Sequence, residues 1–192
     1  ISTDFIFDGN KGHYIETDPA NPINHYGKSK ALGELSIQKY CRKYIILRTS
    51  WLYSHLETKN NFLFKIKTLA LEDKKDLFGA EDIVGSPTSS LNLADGIYKL
   101  LESIDTYDFS LKLFHFSDLG SVSRFTFLEE IVKKLNLKFN LSNSVHPTQN
   151  SYFNLVAPRP YNTSLNSSLF SETFNFRSQD WKKALNKTIE LL

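Results

Sequence analysis

The sequence predicts an α/β fold in which a parallel sheet carries helices on both faces. Segments with strand composition alternate along the chain with segments of helical periodicity. The run Tyr44–Leu47 is continuously apolar, as is usual for a strand that is buried on both faces of a parallel sheet. Polar residues follow the ends of the predicted strands, where ligands bind in such sheets. A ligand-binding crevice at that edge of the sheet is therefore expected.

Each predicted element has a local signal. The first strand is expected at Ile1–Phe7, before the turn residues Asp8–Asn10, and another at Lys112–Phe116. A helix should begin after Asn24, an acceptable N-cap, and run to about Tyr40. Four further helices are predicted from apolar residues at helical spacing. Their apolar stripes are Phe62, Ile66, Leu69 and Ala70; Ala94, Ile97, Tyr98 and Leu101; Phe125, Leu128, Val132 and Leu135, with Ser123 as the cap; and Trp181, Ala184, Leu185 and Leu192, with Ser178 and Asp180 near the start.

Composition excludes several classes of protein. The 23 Lys and Arg residues nearly balance the 21 Asp and Glu residues, which argues against a nucleic-acid-binding surface. Cys41 is the single cysteine and cannot form an internal disulfide, so a reducing, cytoplasmic location is expected. No apolar stretch approaches the roughly 18 residues of a membrane span. The chain opens at Ile1 within a predicted strand and contains no methionine, so we expect it to be the C-terminal part of a longer protein.

Tyr26 and Lys30 are four residues apart in the predicted helix that follows Asn24. Residues at this spacing share a helix face. An ammonium beside a phenol stabilises the phenolate, so the pair could serve in proton transfer near neutral pH. Composition alone would produce about one Tyr-x-x-x-Lys match, because the chain is rich in both residues. A half-buried tyrosine and a solvated lysine are therefore the structural alternative.

The topology of the predicted sheet supports the functional interpretation. Ser2-Thr3-Asp4 follows the first strand, Arg48–Trp51 follows the second, and Phe116-Ser117-Asp118 follows the third. The first two strand ends should flank the N-terminal half of the Tyr26 helix. The expected crevice then gathers a hydroxyl, a carboxylate, a phenol, an ammonium and an indole; these belong to Thr3, Asp4, Tyr26, Lys30 and Trp51.

Ordered motifs across nearly the whole chain carry a family resemblance. Four segments resemble the extended short-chain dehydrogenases/reductases: Ser2–Gly9, Glu16–Pro19, Asn21–Lys30 and Gly33-Glu34. Four others narrow the resemblance to the dTDP-4-dehydrorhamnose reductases: Leu47–Tyr53, Asn60–Phe62, Gly85–Thr88 and Arg159–Asn162. The resemblance implies the C-terminal part of a Rossmann-type NAD(P)-binding domain in residues 1–118, with 76–90 crossing to a small substrate-binding region, and most of that region in 119–192. The family's glycine-rich loop for the cofactor phosphates is not among these residues.

The resemblance also implies a reaction: reduction by NADPH or NADH of the C4 ketone of a dTDP-4-dehydro-6-deoxy sugar, in dTDP-rhamnose and surface polysaccharide biosynthesis. Tyr26 matches the acid, Lys30 the lysine that activates it and holds the nicotinamide ribose, and Thr3 a hydroxyl that binds the reacting oxygen. Ser2 is expected to bind the cofactor together with Tyr26 and Lys30. Asp4 and Trp51 match residues that line the sugar pocket.

Several interpretations remain open at this point. Arg159 either binds the nucleotide diphosphate or pairs with a carboxylate at the domain junction. Asn61 either binds substrate or, with Asn60, caps the helix at Phe62. Some family members use Mg²⁺ at the subunit contact, but its ligands cannot be placed here, and a homodimer is the assembly that the resemblance allows. Dispersed histidines make a protein-built zinc site improbable.

The reaction class has alternatives as well. Phe5 stands where sugar-nucleotide dehydratases of the same superfamily carry the second residue of an Asp-Glu pair, so a dehydratase is disfavoured. Another sugar-nucleotide epimerase or reductase is the nearest rival. A non-catalytic regulatory subunit with this fold is the alternative from a different class, and the joint presence of Thr3, Tyr26 and Lys30 favours the enzyme.

Overall fold

Strands and helices alternate along the chain, as the sequence predicts. The computed structural model describes residues 1–58, 61–72 and 76–192. Its strands are β1 (Ser2–Thr3), β2 (Ile46–Thr49), β3 (Leu52–Tyr53), β4 (Asp76–Ala80), β5 (Val84–Gly85), β6 (Thr88–Ser89), β7 (Leu113–Phe116), β8 (Val122–Ser123) and β9 (Ser144–Thr148). Its helices are α1 (His25–Tyr40), α2 (Phe62–Leu71), α3 (Ser90–Glu102), α4 (Arg124–Phe139), α5 (Ser168–Thr173) and α6 (Trp181–Glu190), with 3-10 turns at Asp4–Ile6 and Asn150–Phe153.

The main sheet is parallel and has the strand order β1-β2-β7. Its two faces are covered by different helices. On one face, Leu47, Phe114 and Phe116 pack against α3 and α5. The other face carries the alternate side chains of the strands, including Arg48. Helix α1 covers this face, and its buried Glu34 contacts Arg48. The predicted α/β class, with a parallel sheet between helices, is therefore confirmed.

A second core lies beyond the carboxyl ends of the main strands. Helices α2, α4 and α6 pack there against β3 and β4, around Phe127. The short parallel pairs β3–β6 and β4–β9 and the antiparallel pair β5–β8 frame this core. This core includes α2, which lies in the expected cofactor-binding part. Helix α5 lies in the expected substrate-binding region but packs on the main sheet. The division at residue 118 stays a prediction.

The helix caps explain why the helices begin where they do. The side chain of Asn24 accepts a hydrogen bond from the backbone N–H of Gly27 at 2.8 Å, and α1 ends at Tyr40, as predicted. Ser123 and Asp180 cap α4 and α6 in the same way. Within the described ranges, none of these helices is both long and apolar enough to cross a membrane.

The first strand is shorter than the sequence predicts. It ends at Thr3, and residues 4–6 form the 3-10 turn instead of continuing the strand to Phe7. The Thr3 hydroxyl accepts a hydrogen bond from the Phe5 N–H at 3.2 Å, which caps this turn and removes the local preference for an extended chain. The predicted cap residue Asn60 lies outside the described residues.

Candidate active site

The candidate site surrounds the point where β1 ends. Thr3 is buried there, and its hydroxyl donates to Asp4 Oδ1 at 3.1 Å while accepting from the Phe5 N–H. The 3-10 turn that follows carries Phe5 towards the start of α1. A hydroxyl is thus fixed at the carboxyl end of a parallel strand, where open α/β sheets bind ligands.

A close helix contact sets Tyr26 beside this turn. A Cβ atom at Gly27 would collide with the backbone carbonyl of Phe5, so only glycine lets α1 approach so closely. The rings of Phe5 and Tyr26 consequently meet edge to face, with centroids 6.0 Å apart. The Tyr26 side chain is 55% exposed, and its hydroxyl is not hydrogen-bonded to any described residue. The phenol is therefore open to a ligand.

Lys30 lies one helical turn after Tyr26 and reaches back to the sheet. Its ammonium donates to the carbonyl oxygen of Ile1 at 2.7 Å, at the start of β1. Half-buried, it presents a positive charge on the same helix face as the phenol. The structure therefore places Thr3, Tyr26 and Lys30 along β1 and the first turns of the helix beside it.

Asp4 has a different environment from the one expected of a residue lining a sugar pocket. Its carboxylate is buried and accepts hydrogen bonds from the hydroxyls of Ser50, at 2.8 Å, and Thr163, at 2.5 Å. Burial raises its pKa, and the hydroxyls of Thr163, Ser50 and Thr3 partly oppose that rise. This corrects the expectation: Asp4 holds the Thr3 hydroxyl and offers little surface to a ligand.

The prediction for Ser2 also requires correction. Its hydroxyl points to the face of the sheet that α1 covers and donates to Glu34. Glu34 also forms an ion pair with Arg48. The Arg48 Nη2 atom lies 2.6 Å from Glu34 Oε2, and both side chains are almost fully buried. The Ser2 side chain is thus used to anchor α1 on the sheet and is not available to a cofactor.

His115 extends this buried network to β7. Its Nε2 lies 3.4 Å from Arg48 Nη1, and its Nδ1 lies 3.0 Å from the carbonyl oxygen of Tyr14. Burial and the Arg48 charge lower the pKa of His115 to about 4, so the ring is neutral at pH 7. A neutral ring with its hydrogen on Nδ1 satisfies both contacts.

Trp51 is buried, with only 8% of its surface exposed, and adopts a left-handed backbone conformation (φ 42°). The guanidinium carbon of Arg124 lies 3.6 Å from its ring centroid, and Gly85 packs so closely against the indole that a Cβ there would collide with it. The expected open ring face for a sugar is therefore covered, and Arg124 stands in front of it.

Sequence reasoning missed Arg124. Burial and the nearby charge of Arg159 lower its pKa to about 9, and Asp4 partly opposes that change. A local signal was present: an arginine in the first turn of a helix opposes the positive end of the helix dipole, which normally favours acidic residues.

Asn61 and Arg159, each with a structural and a ligand-binding interpretation, have different environments. Asn61 caps α2: its Oδ1 accepts from the Leu63 N–H, and its amide group donates to the carbonyls of Ser54 and Leu56. Both amide hydrogens are thereby used, so the geometry supports the cap and not the substrate contact. Arg159 is exposed and has no ion pair with a described residue, which leaves its guanidinium available to an anion.

No cluster of three or more histidine, cysteine, aspartate or glutamate side chains suited to a metal ion occurs in ranges 1–58, 61–72 and 76–192. The donors beside β1 are a phenol, an ammonium and hydroxyls. Such a set suits proton transfer and the binding of hydroxyl or carbonyl oxygens.

Known proteins with similar sequences point to one family. The family model described as RmlD substrate binding domain matches residues 1–192. The chain is 36% identical over 196 residues to a dTDP-4-dehydrorhamnose reductase from Aggregatibacter actinomycetemcomitans, a match that covers 96% of the chain and 63% of the relative. It is 33% identical to the spore coat polysaccharide biosynthesis protein SpsK from Bacillus subtilis, covering 99% of the chain and 62% of that protein.

Solved structures agree. The dTDP-4-dehydrorhamnose reductase from Bacillus anthracis in complex with NADP is 30% identical and superposes with a TM-score of 0.86, covering 100% of this chain and 64% of that one. A UDP-glucuronic acid 4-epimerase from Bacillus cereus, 17% identical with a TM-score of 0.78, shows the shared fold alone. The chain spans a little under two thirds of the length of the curated relatives it matches. This chain belongs to the family of RmlD substrate-binding domains found in dTDP-4-dehydrorhamnose reductases.

Proposed function

We propose that the whole protein containing this chain reduces the C4 ketone of a dTDP-4-dehydro-6-deoxy sugar in dTDP-rhamnose biosynthesis. The observation that supports the proposal is the placement of Thr3, Tyr26 and Lys30 beside β1, with the phenol open to a ligand. Family membership supports the same reaction, since relatives carry the reductase name. A nucleotide sugar is accordingly the proposed substrate, and the cytoplasm the proposed location.

The residues present fit NADPH or NADH. Tyr26 and Lys30 offer a hydroxyl and the two ammonium hydrogens that Ile1 does not take, on one helix face, which suits the paired hydroxyls of a nicotinamide ribose. The bound cofactor supplies the hydride that adds to C4. The main contribution of this chain is therefore to position the cofactor's ribose and to manage the proton.

Tyr26 is the proposed acid. Negative charge develops on the ketone oxygen as C4 is reduced, and the phenol donates its proton to that oxygen. The Lys30 ammonium stabilises the phenolate that remains. A positioned acid of this kind is worth about 10²–10⁴-fold in rate. The contact between Gly27 and Phe5 fixes the base of α1 and hence the position of the phenol.

Thr3 is proposed to donate a second hydrogen bond to the ketone oxygen. Its hydroxyl hydrogen now points to Asp4, and a rotation about the C–O bond redirects it to a ligand. Ser50 and Thr163 continue to satisfy the Asp4 carboxylate after that rotation, so the cost is small. Arg159 is proposed to contact the diphosphate of the substrate, because its guanidinium is exposed.

The division of labour between the two parts of the chain belongs to the same proposal. Residues 1–118 would complete the cofactor-binding domain, and 119–192 would form most of the substrate-binding region, with 76–90 crossing between them. A homodimer is the proposed assembly. Mg²⁺ is left out because no described group of side chains indicates its ligands.

The test is NAD(P)H consumption by the whole protein with dTDP-4-dehydro-6-deoxy-L-mannose. Tyr26→Phe should lower turnover by roughly 10²-fold or more and cofactor affinity far less, since the proton donor is lost while Lys30 still binds the ribose. Tyr40→Phe is the matched control, because Tyr40 lies on the same helix at its far end and is 75% exposed. Full activity of Tyr26→Phe would refute its role as the acid.

A further inference from the structure

Arg124 is a half-buried cation with no counter-ion among the described residues. Its guanidinium carbon lies 3.6 Å from the centroid of Trp51 and 4.9 Å from that of Phe62. Among the described residues, no carboxylate forms an ion pair with it and no acceptor takes a hydrogen bond from its side chain. Aromatic faces stabilise a cation by about 0.5–2 kcal/mol but leave the five N–H donors unsatisfied.

The Asp4 carboxylate does not neutralise the charge of Arg124. Asp4 is close enough to influence Arg124 electrostatically, yet its carboxylate is taken by the hydroxyls of Thr3, Ser50 and Thr163. An unpaired cation in a partly buried position costs free energy unless a ligand supplies the opposite charge.

A second cation, Arg159, belongs to a segment that pairs with the same residue of β5. Val84 pairs with Ser123, the residue before Arg124, and also with Asn162, three residues after Arg159. The two guanidinium groups repel each other, and this repulsion contributes to the lowered pKa of Arg124. Two neighbouring arginines with no ion pair among the described residues suit an anion with more than one negative charge.

We propose that Arg124, placed over the Trp51 indole, forms with Arg159 the subsite for the diphosphate of the nucleotide sugar. This inference rests on the proposed function and adds a residue to it. A diphosphate carries enough charge to offset both cations, and guanidinium groups bind phosphate oxygens in bidentate fashion. Trp51 then acts by positioning Arg124, which explains why its ring face is not open to the sugar.

The competing explanation is that Arg124 only covers the Trp51 ring. Arg124→Met separates the two, because methionine keeps an apolar cover on the indole and removes the charge and the donors. Arg177→Met is the matched control, since Arg177 lines a different cavity with Glu172 and Ser178. Both variants are made in the whole protein, and dTDP and thymidine are the two probes in isothermal titration calorimetry.

For Arg124→Met, the Kd for dTDP should rise about tenfold or more, the loss expected for one charge-assisted contact. The Kd for thymidine and the melting temperature without ligand should change little, as no ion pair with a described residue is broken. Arg177→Met should bind both probes like the unsubstituted protein. Unchanged dTDP affinity in Arg124→Met, equal losses for thymidine and dTDP, or no dTDP binding by the unsubstituted protein would each overturn the subsite.

The two proposals fail in different assays. If dTDP binding depends on Arg124 but NAD(P)H is not consumed with the keto sugar, the reductase proposal fails and the subsite stands. If the keto sugar is reduced and Arg124→Met leaves dTDP affinity unaltered, the subsite proposal fails and the reductase proposal stands.

Discussion

Two buried titratable side chains, His115 and Asp118, lie on either side of the end of β7 and respond to acid in opposite directions. Burial and Arg48 lower the pKa of His115 to about 4 from 6.5. Burial raises the pKa of Asp118 to about 6 from 3.8, although Asn92 and the Ser89 N–H donate to its carboxylate.

The sign of each contribution follows from proton uptake. Between pH 6.5 and 4 the unfolded chain protonates His115 and the folded chain does not, so His115 makes stability fall as pH is lowered. Between pH 4 and 6 the folded chain keeps the Asp118 proton that the unfolded chain has lost, so Asp118 makes stability fall as pH is raised. In the shared window the two effects oppose each other.

Single substitutions should separate the two opposing contributions to the pH dependence of the free energy of unfolding. In Asp118→Asn, the free energy of unfolding should rise with pH between pH 4 and 6 more steeply than in the unsubstituted chain, by at most about 1.4 kcal/mol per pH unit. In His115→Gln the slope should change in the opposite direction. Urea unfolding at several pH values measures both. Curves that stay parallel to that of the unsubstituted chain would contradict the assignment of these two groups.

At the scale of elements, α1 contains its own matched pair of glycines. Gly27→Ala places a Cβ against the Phe5 carbonyl, so it should destabilise the protein and displace Tyr26. Gly33→Ala meets no atom within 4 Å and should stabilise the chain by about 0.5–1 kcal/mol, as alanine favours the helix. Chemical denaturation measures the two changes. Equal effects at both positions would show that the Phe5 contact does not constrain α1.

Helices were predictable from sequence because their signals are local. The cap at Asn24 and the end at Tyr40 depend on neighbouring residues, and both agree with the structure. The pair β4–β9 was missed, since β9 contains no buried residue and lies far from β4 in sequence. Pairing of this kind is decided by tertiary contacts that no local pattern records.

The candidate site was predictable in part for the same reason. Thr3 and Tyr26 follow from where a strand ends and a helix begins, which local signals locate. Ser2 was misassigned because successive strand residues point to opposite faces, so it cannot join Thr3 at the crevice. The position of Arg124 in the candidate site was not predicted, because it depends on Trp51 and Arg159, which are distant in sequence and come near only in the folded chain.

At the scale of the whole molecule, the proposed cofactor requires more than this chain holds. The sequence contains no Gly-x-Gly-x-x-Gly segment to bind the cofactor phosphates. We therefore expect the 192-residue chain alone to bind NADPH no more tightly than in the micromolar range, by fluorescence titration. The whole protein is the positive control, and a sub-micromolar Kd for the 192-residue chain would contradict this expectation.

The chain passes repeatedly between its two larger cores, the first on the main sheet and the second around Phe127. Strand β2 belongs to the first core and α2 to the second, α3 and β7 return to the first, α4 leaves it, and α5 returns before α6 ends in the second. Neither core is therefore encoded by one continuous stretch of sequence. A library of truncated genes should yield no minimal piece that keeps the crevice, and a ligand seated there should protect both cores from proteolysis together.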